Sequence, residues 1–120
     1  MTQGKSSGSK KNPVLPRNRK RTVPRFNFVA TTELIDSATQ THLSGRISEI
    51  SRKGCYVDIY NPLPVGTPIS VLITHGQGSF VTRGKIVYIH EGIGMGVEFV
   101  EPSNEQMRLL DSWLAALQKN

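Results

Sequence analysis

The fold is decided by residues 43–59, which read LSGRISEISRKGCYVDI. In each half of this stretch, every second residue is apolar or small. The first half places Leu43, Gly45 and Ile47 on one face, and the second does the same with Cys55, Val57 and Ile59. A period of two is typical of strands with one buried face. The stretch therefore predicts two β-strands joined by a turn at residues 51–54.

The same alternation recurs on both sides of this hairpin. Further strand-like runs begin at Phe26, Ile69, Phe80 and Gly94, and the third of these contains Gly84, which we expect to mark a bulge. Residues 61–66 include two prolines and read as a loop, because proline cannot join a central ladder. The sequence therefore predicts six short strands in total.

A helix is predicted over residues 103–118. Ser103 is the expected N-cap and Gln106 would complete a capping box. An apolar stripe follows at helical spacing and consists of Met107, Leu110, Trp113, Leu114 and Leu117. Six strands followed by one terminal helix predict a mostly β fold, a six-stranded antiparallel barrel with a C-terminal α-helix.

The positive charge is concentrated at the start of the chain. Residues 1–25 contain eight basic and no acidic side chains, whereas the rest contains seven basic and nine acidic ones. Residues 1–20 are also poor in large apolar side chains, so we expect a basic, disordered N-terminal arm in front of a domain spanning residues 21–120. Such an arm favours an anionic partner.

Two short motifs lie near the expected start of the domain and in its first hairpin. Residues 21–25 have the form RxxxR, with Arg21 and Arg25 at its ends, and residues 49–54 have the form ExSxxG, with Glu49, Ser51 and Gly54. Arg17 and Arg21 make a second RxxxR, but Arg25 leads directly into the first strand, which favours the later register. Each motif alone is common, and only the pair in this order is specific.

At these positions the chain resembles the PilZ domain family, whose signature is RxxxR followed by [Asp/Asn]xSxxG. The resemblance covers about residue 17 to the C-terminus and implies a six-stranded barrel closed by a C-terminal helix, in a bacterial receptor for cyclic di-GMP. It implies ligand contacts by Arg21, Arg25, Ser51 and Gly54, and it places Lys20 where the number of bound ligands is influenced. Glu49 departs from the pattern, because the family has Asp or Asn there.

The chemistry of these residues suits a guanine dinucleotide. An arginine fork can bind phosphate oxygens or the O6/N7 edge of guanine with two bonds at once. The carboxylate of Glu49 can accept hydrogen bonds from guanine N1 and N2, and the Ser51 hydroxyl can add one more. Gly54 allows a positive φ or a close approach by the ligand. Glu49 could instead be a plain surface charge that pairs with Lys53.

Three functions remain open at this point. The first is a cyclic di-GMP receptor whose arm folds over the ligand and signals to a downstream protein. The second is a PilZ-like adaptor that works without nucleotide, which the change to Glu49 favours. The third is a nucleic-acid-binding module using the basic arm, which the strands disfavour because they lack interleaved exposed aromatic residues.

Other classes of protein find no support in the sequence. There is no G-x-S-x-G, CxxC or P-loop motif, so we do not expect an enzyme, and the three histidines lack the spacing of metal ligands. Cys55 lies in an apolar strand and is expected to be a buried, inert thiol. No apolar run approaches the ~20 residues of a membrane helix, and we expect a cytoplasmic location.

Overall fold

The computed structural model describes residues 23–118. These residues form six β-strands and one helix: β1 Arg25–Asp36, β2 His42–Ser51, β3 Gly54–Asp58, β4 Pro68–His75, β5 Gly78–His90, β6 Gly94–Val100 and α1 Asn104–Gln118. The expected disordered arm of residues 1–20 lies outside the described residues, as do Lys20 and Arg21.

The strands form a closed antiparallel barrel in the order β1-β2-β3-β6-β5-β4. This confirms the predicted fold class. The alternating apolar residues point into the barrel, where Leu34, Ile47, Val57, Ile73, Phe80, Ile86 and Met95 are fully buried. Burying this apolar surface is the main stabilising contribution to the barrel.

The helix packs on the barrel through the predicted stripe, with Leu110, Trp113 and Leu114 buried. The Ser103 hydroxyl caps α1, because its oxygen accepts the backbone N–H of Gln106 at 3.2 Å. The expected capping box is wrong in its second half. The Gln106 side-chain oxygen accepts the backbone N–H of Val81 at 2.7 Å and thereby ties α1 to β5.

Three register shifts interrupt the ladders, and none lies at Gly84. They fall between Asn27 and Ala30 in β1, between Ile47 and Glu49 in β2, and between Ile86 and Tyr88 in β5. The expected bulge at Gly84 is therefore wrong. Gly84 is buried, and a Cβ there would lie 3.1 Å from Val97 and Val71 side-chain atoms, so close packing explains this glycine.

Cys55 is buried, as predicted, and burial raises the pKa of its thiol to about 12. Within residues 23–118, no three His, Cys, Asp or Glu side chains are grouped as metal ligands would be. The part of the chain that the structure describes contains no helix long and apolar enough to cross a membrane.

Candidate ligand site

Four of the six predicted site residues line one pocket. Arg25 lies at the start of β1, Glu49 and Ser51 at the end of β2, and Gly54 at the start of β3. The pocket has a volume of about 440 Å³, within the ~300–1,000 Å³ typical of small-molecule sites. The hairpin and the start of β1 thus bring both motifs together on the barrel surface.

Arg25 and Glu49 form an ion pair across β1 and β2. Arg25 lies opposite Ser51 in the ladder, so Glu49 is its diagonal neighbour, within reach of a long side chain. Nε of Arg25 donates to Oε1 of Glu49 at 3.0 Å, and a terminal guanidinium nitrogen donates to the same oxygen. This hydrogen bond is the main cause that raises the pKa of Arg25. Glu49 therefore pairs with Arg25 rather than with Lys53.

A bulge in β2 turns Glu49 toward the pocket. Ile47 and Ile50 are both buried although they are three residues apart, because Ser48 is an extra residue relative to β3. Strict alternation would have placed Glu49 on the same inward face as Ile47. The bulge therefore sets the direction of the carboxylate.

Ser51 holds the turn that carries the second motif. Its hydroxyl oxygen accepts the backbone N–H groups of Lys53 at 3.1 Å and Gly54 at 3.2 Å. The hydroxyl also donates to the Gly54 carbonyl at 3.3 Å. Because the side chain is buried and these bonds are local, Ser51 shapes the site from within the turn. A direct bond from Ser51 to a ligand stays a prediction.

Gly54 is required by the packing of β3 on β6. A Cβ at this position would collide with the carbonyl oxygen of Val97. Gly54 does not adopt a positive φ, which among glycines of the described range is found at Gly66, Gly76 and Gly92. The close neighbour of Gly54 is thus the protein's own backbone, while its open side lines the pocket.

Two tyrosines that the sequence analysis did not single out also line the pocket. Tyr88 of β5 is half-exposed because the bulge at Val87 reverses the alternation set by Phe80 and Ile86, which point inward. The ring centroid of Tyr88 lies 6.2 Å from that of Tyr56 on β3. Burial raises the pKa of Tyr56, and nearby Tyr88, Asp58 and Glu49 add to the effect, so the phenol stays protonated. The break in the β5 alternation was the available signal.

Three further charged side chains lie near the site, two of them in the pocket wall and one paired with the helix. Lys53 and Glu98 line the pocket. Arg52 instead points to α1, where its Nε donates to Asp111 at 2.9 Å. The site residues Lys20 and Arg21 lie outside the described residues, so their place relative to the pocket stays a prediction.

The sequence profile of the PilZ domain family matches residues 17–116. This chain belongs to the PilZ domain family. The matched range includes both RxxxR and ExSxxG. Among curated proteins, none matches the chain.

Solved structures of PilZ proteins share the fold. The PilZ domain of Escherichia coli YcgR with c-di-GMP aligns with a TM-score of 0.70 at 16% identity, covering 83% of this chain and 92% of that domain. A crystal structure of Escherichia coli YcgR in complex with c-di-GMP aligns with a TM-score of 0.72 at 18% identity. The alignment covers 83% of this chain and 46% of that one. Bacillus subtilis MotI/DgrA, an inhibitor of motility, aligns with a TM-score of 0.70 at 16% identity. The alignment covers 87% of this chain and 56% of that one. This chain therefore spans about half the length of those last two proteins.

Proposed function

We propose that this protein is a receptor for cyclic di-GMP rather than an enzyme. The observation that carries the proposal is the convergence of Arg25, Glu49, Ser51 and Gly54 on one pocket of about 440 Å³. The two motifs are 24 residues apart in sequence from Arg25 to Glu49, and the barrel brings them into contact. Membership of the PilZ family and the c-di-GMP in the YcgR structures support the same ligand.

Arg25 is the residue in the described site best suited to bind a phosphate. Its guanidinium is held by Glu49 through Nε and one terminal nitrogen, and Tyr88 also interacts with it. An arginine has five N–H donors, so others can serve a ligand. A ligand phosphate or guanine edge can take these donors or displace the carboxylate. The Glu49 carboxylate, once released, can accept from guanine N1 and N2. Lys53 adds a positive charge at the pocket wall.

The N-terminal arm supplies the second arginine. In the sequence Arg21 lies four residues before Arg25 and two before Val23, which lines the pocket, and Lys20 directly precedes Arg21. The phosphates of the ligand would attract the eight basic side chains found within positions 1–25. Folding the arm over the ligand would create a new surface for a downstream protein. The basic Lys20 directly before the motif is compatible with a stacked pair of ligand molecules.

Isothermal titration calorimetry with cyclic di-GMP tests binding and stoichiometry together, with GTP and GMP as comparison ligands. We expect binding of cyclic di-GMP and no comparable binding of the mononucleotides. Arg21→Ala and Arg25→Ala should each weaken binding at least about tenfold, or ~1.4 kcal/mol. Arg46→Ala is the matched control, because Arg46 pairs with Asp58 outside the pocket.

Arg17→Ala separates the two possible motif registers. This variant should bind only slightly less tightly than the native protein, through the general electrostatic field. If Arg17 is essential while Arg25 is dispensable, the assigned register is wrong. An absence of binding heat at high micromolar ligand would reject the receptor function altogether.

Hydrogen exchange over residues 17–25, with and without cyclic di-GMP, tests the closing arm. We expect the amides of this segment to exchange rapidly in the free protein and to be protected in the complex. Equal exchange in both states would contradict closure, even if the ligand binds.

A nucleotide-independent adaptor is the second candidate, and the Arg25–Glu49 ion pair favours it. The pair satisfies both motif charges without a ligand, so an anion must compete with a carboxylate already in place. The calorimetric titration separates the candidates, because an adaptor gives no binding heat with any guanine nucleotide.

A further inference from the structure

The outward face of β6 carries two glycines and then a carboxylate. Gly94, Gly96 and Glu98 alternate with inward-facing residues. The Tyr56 ring occupies the space over Gly94, and the Tyr88 ring occupies the space over Gly96, since a Cβ at either glycine would overlap the ring. The two tyrosines therefore lie against the β6 backbone and form an aromatic floor, with Glu98 one step further along the strand.

Of the two carboxylates that line the pocket, Glu98 is the one without an ion-pair partner in the described range. Its side chain is exposed, and no ion pair or side-chain hydrogen bond involves it among residues 23–118. In contrast, Glu49 is already bound to Arg25, because two guanidinium nitrogens donate to its Oε1. In the ladder, Glu98 lies between Gly54 on β3 and Lys85 on β5. It thus faces the pocket from the side opposite to the Arg25–Glu49 pair.

We propose that Glu98 recognises a guanine base of the ligand, with the base lying on Tyr88; this inference rests on the proposed function. Guanine presents two neighbouring donors, N1–H and N2–H, and a carboxylate presents two acceptor oxygens. Adenine presents the N1 acceptor beside the N6 donor, so one carboxylate oxygen would face a second acceptor. A site built to accept two hydrogen bonds rejects a base that cannot supply them.

The aromatic floor explains how Glu98 distinguishes the two bases. Every base can stack on Tyr88, so stacking adds affinity without selectivity. Selectivity must come from the polar groups at the edge of the base. Glu98 lies two residues beyond Gly96, over which Tyr88 is seated, and is therefore placed to meet that edge.

Glu98→Gln tests the proposal, because glutamine is nearly isosteric but pairs with adenine. A glutamine amide can accept from adenine N6 and donate to adenine N1. We expect cyclic di-AMP to bind more tightly to this variant than to the native protein, and the preference for cyclic di-GMP over cyclic di-AMP to fall at least about tenfold. Glu98→Ala should lose affinity for cyclic di-GMP without any gain for cyclic di-AMP. Glu91→Gln, in the exposed β5–β6 turn outside the pocket, is the control.

The outcomes distinguish a failure of the role proposed for Glu98 from a failure of the proposed receptor function. A Glu98 that is only a nearby negative charge would repel ligand phosphates, so both variants would then bind both dinucleotides more tightly. That result, or an unchanged ratio of the two dissociation constants, would overturn the role of Glu98 while leaving the receptor function intact. A native protein that binds no cyclic di-GMP would reject both. Circular dichroism confirms that each variant is folded.

Discussion

Nε of Arg25 donates to Oε1 of Glu49 at 3.0 Å, so the charged residues of the two motifs bind each other in this structure. The Arg25 side chain is 28% exposed and that of Glu49 is 38% exposed, which places the pair where an anionic ligand can reach it. A ligand that takes the guanidinium must compete with a carboxylate. The pair therefore sets how much binding energy remains for the ligand.

Changing Glu49 alters this competition. We expect Glu49→Asp to bind cyclic di-GMP as tightly as the native protein or more tightly. The shorter side chain reaches Arg25 less well but keeps both acceptor oxygens. It also avoids immobilising the extra rotatable bond of glutamate, which costs a few tenths to ~1 kcal/mol. Glu49→Ala should bind more weakly, because the acceptor is lost. Affinities measured side by side at one salt concentration decide the matter.

The alanine variant can also contradict this assignment. If Glu49→Ala binds more tightly than the native protein, Glu49 opposes the ligand and has no acceptor role. If neither substitution changes the affinity, the pair with Arg25 persists in the complex or lies apart from the ligand. Glu101→Ala removes the exposed partner of Arg83, outside the pocket, and serves as the control for loss of a surface carboxylate.

The sequence predicted the strands because alternation and turn residues are local signals. Leu34, Ile47 and Phe80 face inward as their period of two implies. The bulges were harder to predict, since an extra residue such as Ser48 or Val87 has no special composition and shows only as a break in the alternation. The direction of two pocket side chains depends on those bulges. The sequence therefore identified Glu49 by its motif but missed Tyr88, which belongs to no motif.

Gly54→Ala should reduce stability. The added methyl group would meet the Val97 carbonyl, which belongs to the β3–β6 ladder and cannot move aside without breaking it. We expect a loss in the upper part of the ~1–3 kcal/mol range of overpacked sites. Gly78→Ala is the control, because its nearest neighbours are side-chain atoms of Leu109 at 3.1 Å and Trp113 at 3.3 Å. Urea unfolding of both variants measures the difference, and equal losses would contradict this reading of Gly54.

The buried thiol makes stability depend on alkaline pH. Burial raises the pKa of Cys55 from 9.0 to about 12, so between these values the unfolded chain has lost a proton that the folded protein keeps. The unfolded state then binds fewer protons, and the free energy of unfolding falls as pH rises, by up to ~1.4 kcal/mol per pH unit. Below pH 9.0 the thiol is protonated in both the folded and the unfolded state, so this loss of stability is absent.

Cys55→Ala isolates that contribution. Tyrosines and lysines also titrate at alkaline pH, but they do so in both proteins. We expect the free energy of unfolding to fall less in the variant than in the native protein between about pH 8 and about pH 10.5. Equal slopes would mean that the folded thiol ionises near its ordinary value. Slow alkylation of the native thiol, compared with the unfolded protein, gives an independent measurement.

The last prediction concerns Tyr88, whose exposed position depends on the bulge at Val87. If its ring supports a base, Tyr88→Ala should weaken cyclic di-GMP binding by about tenfold or more, because stacking contributes ~1–3 kcal/mol per base. Tyr88→Phe should bind nearly as well as the native protein, since it keeps the ring. Tyr60→Ala is the control, because Tyr60 is 76% exposed and lies outside the pocket. Equal weakening by the phenylalanine and alanine variants would assign the effect to the hydroxyl, and unchanged affinity in Tyr88→Ala would remove the ring from the site.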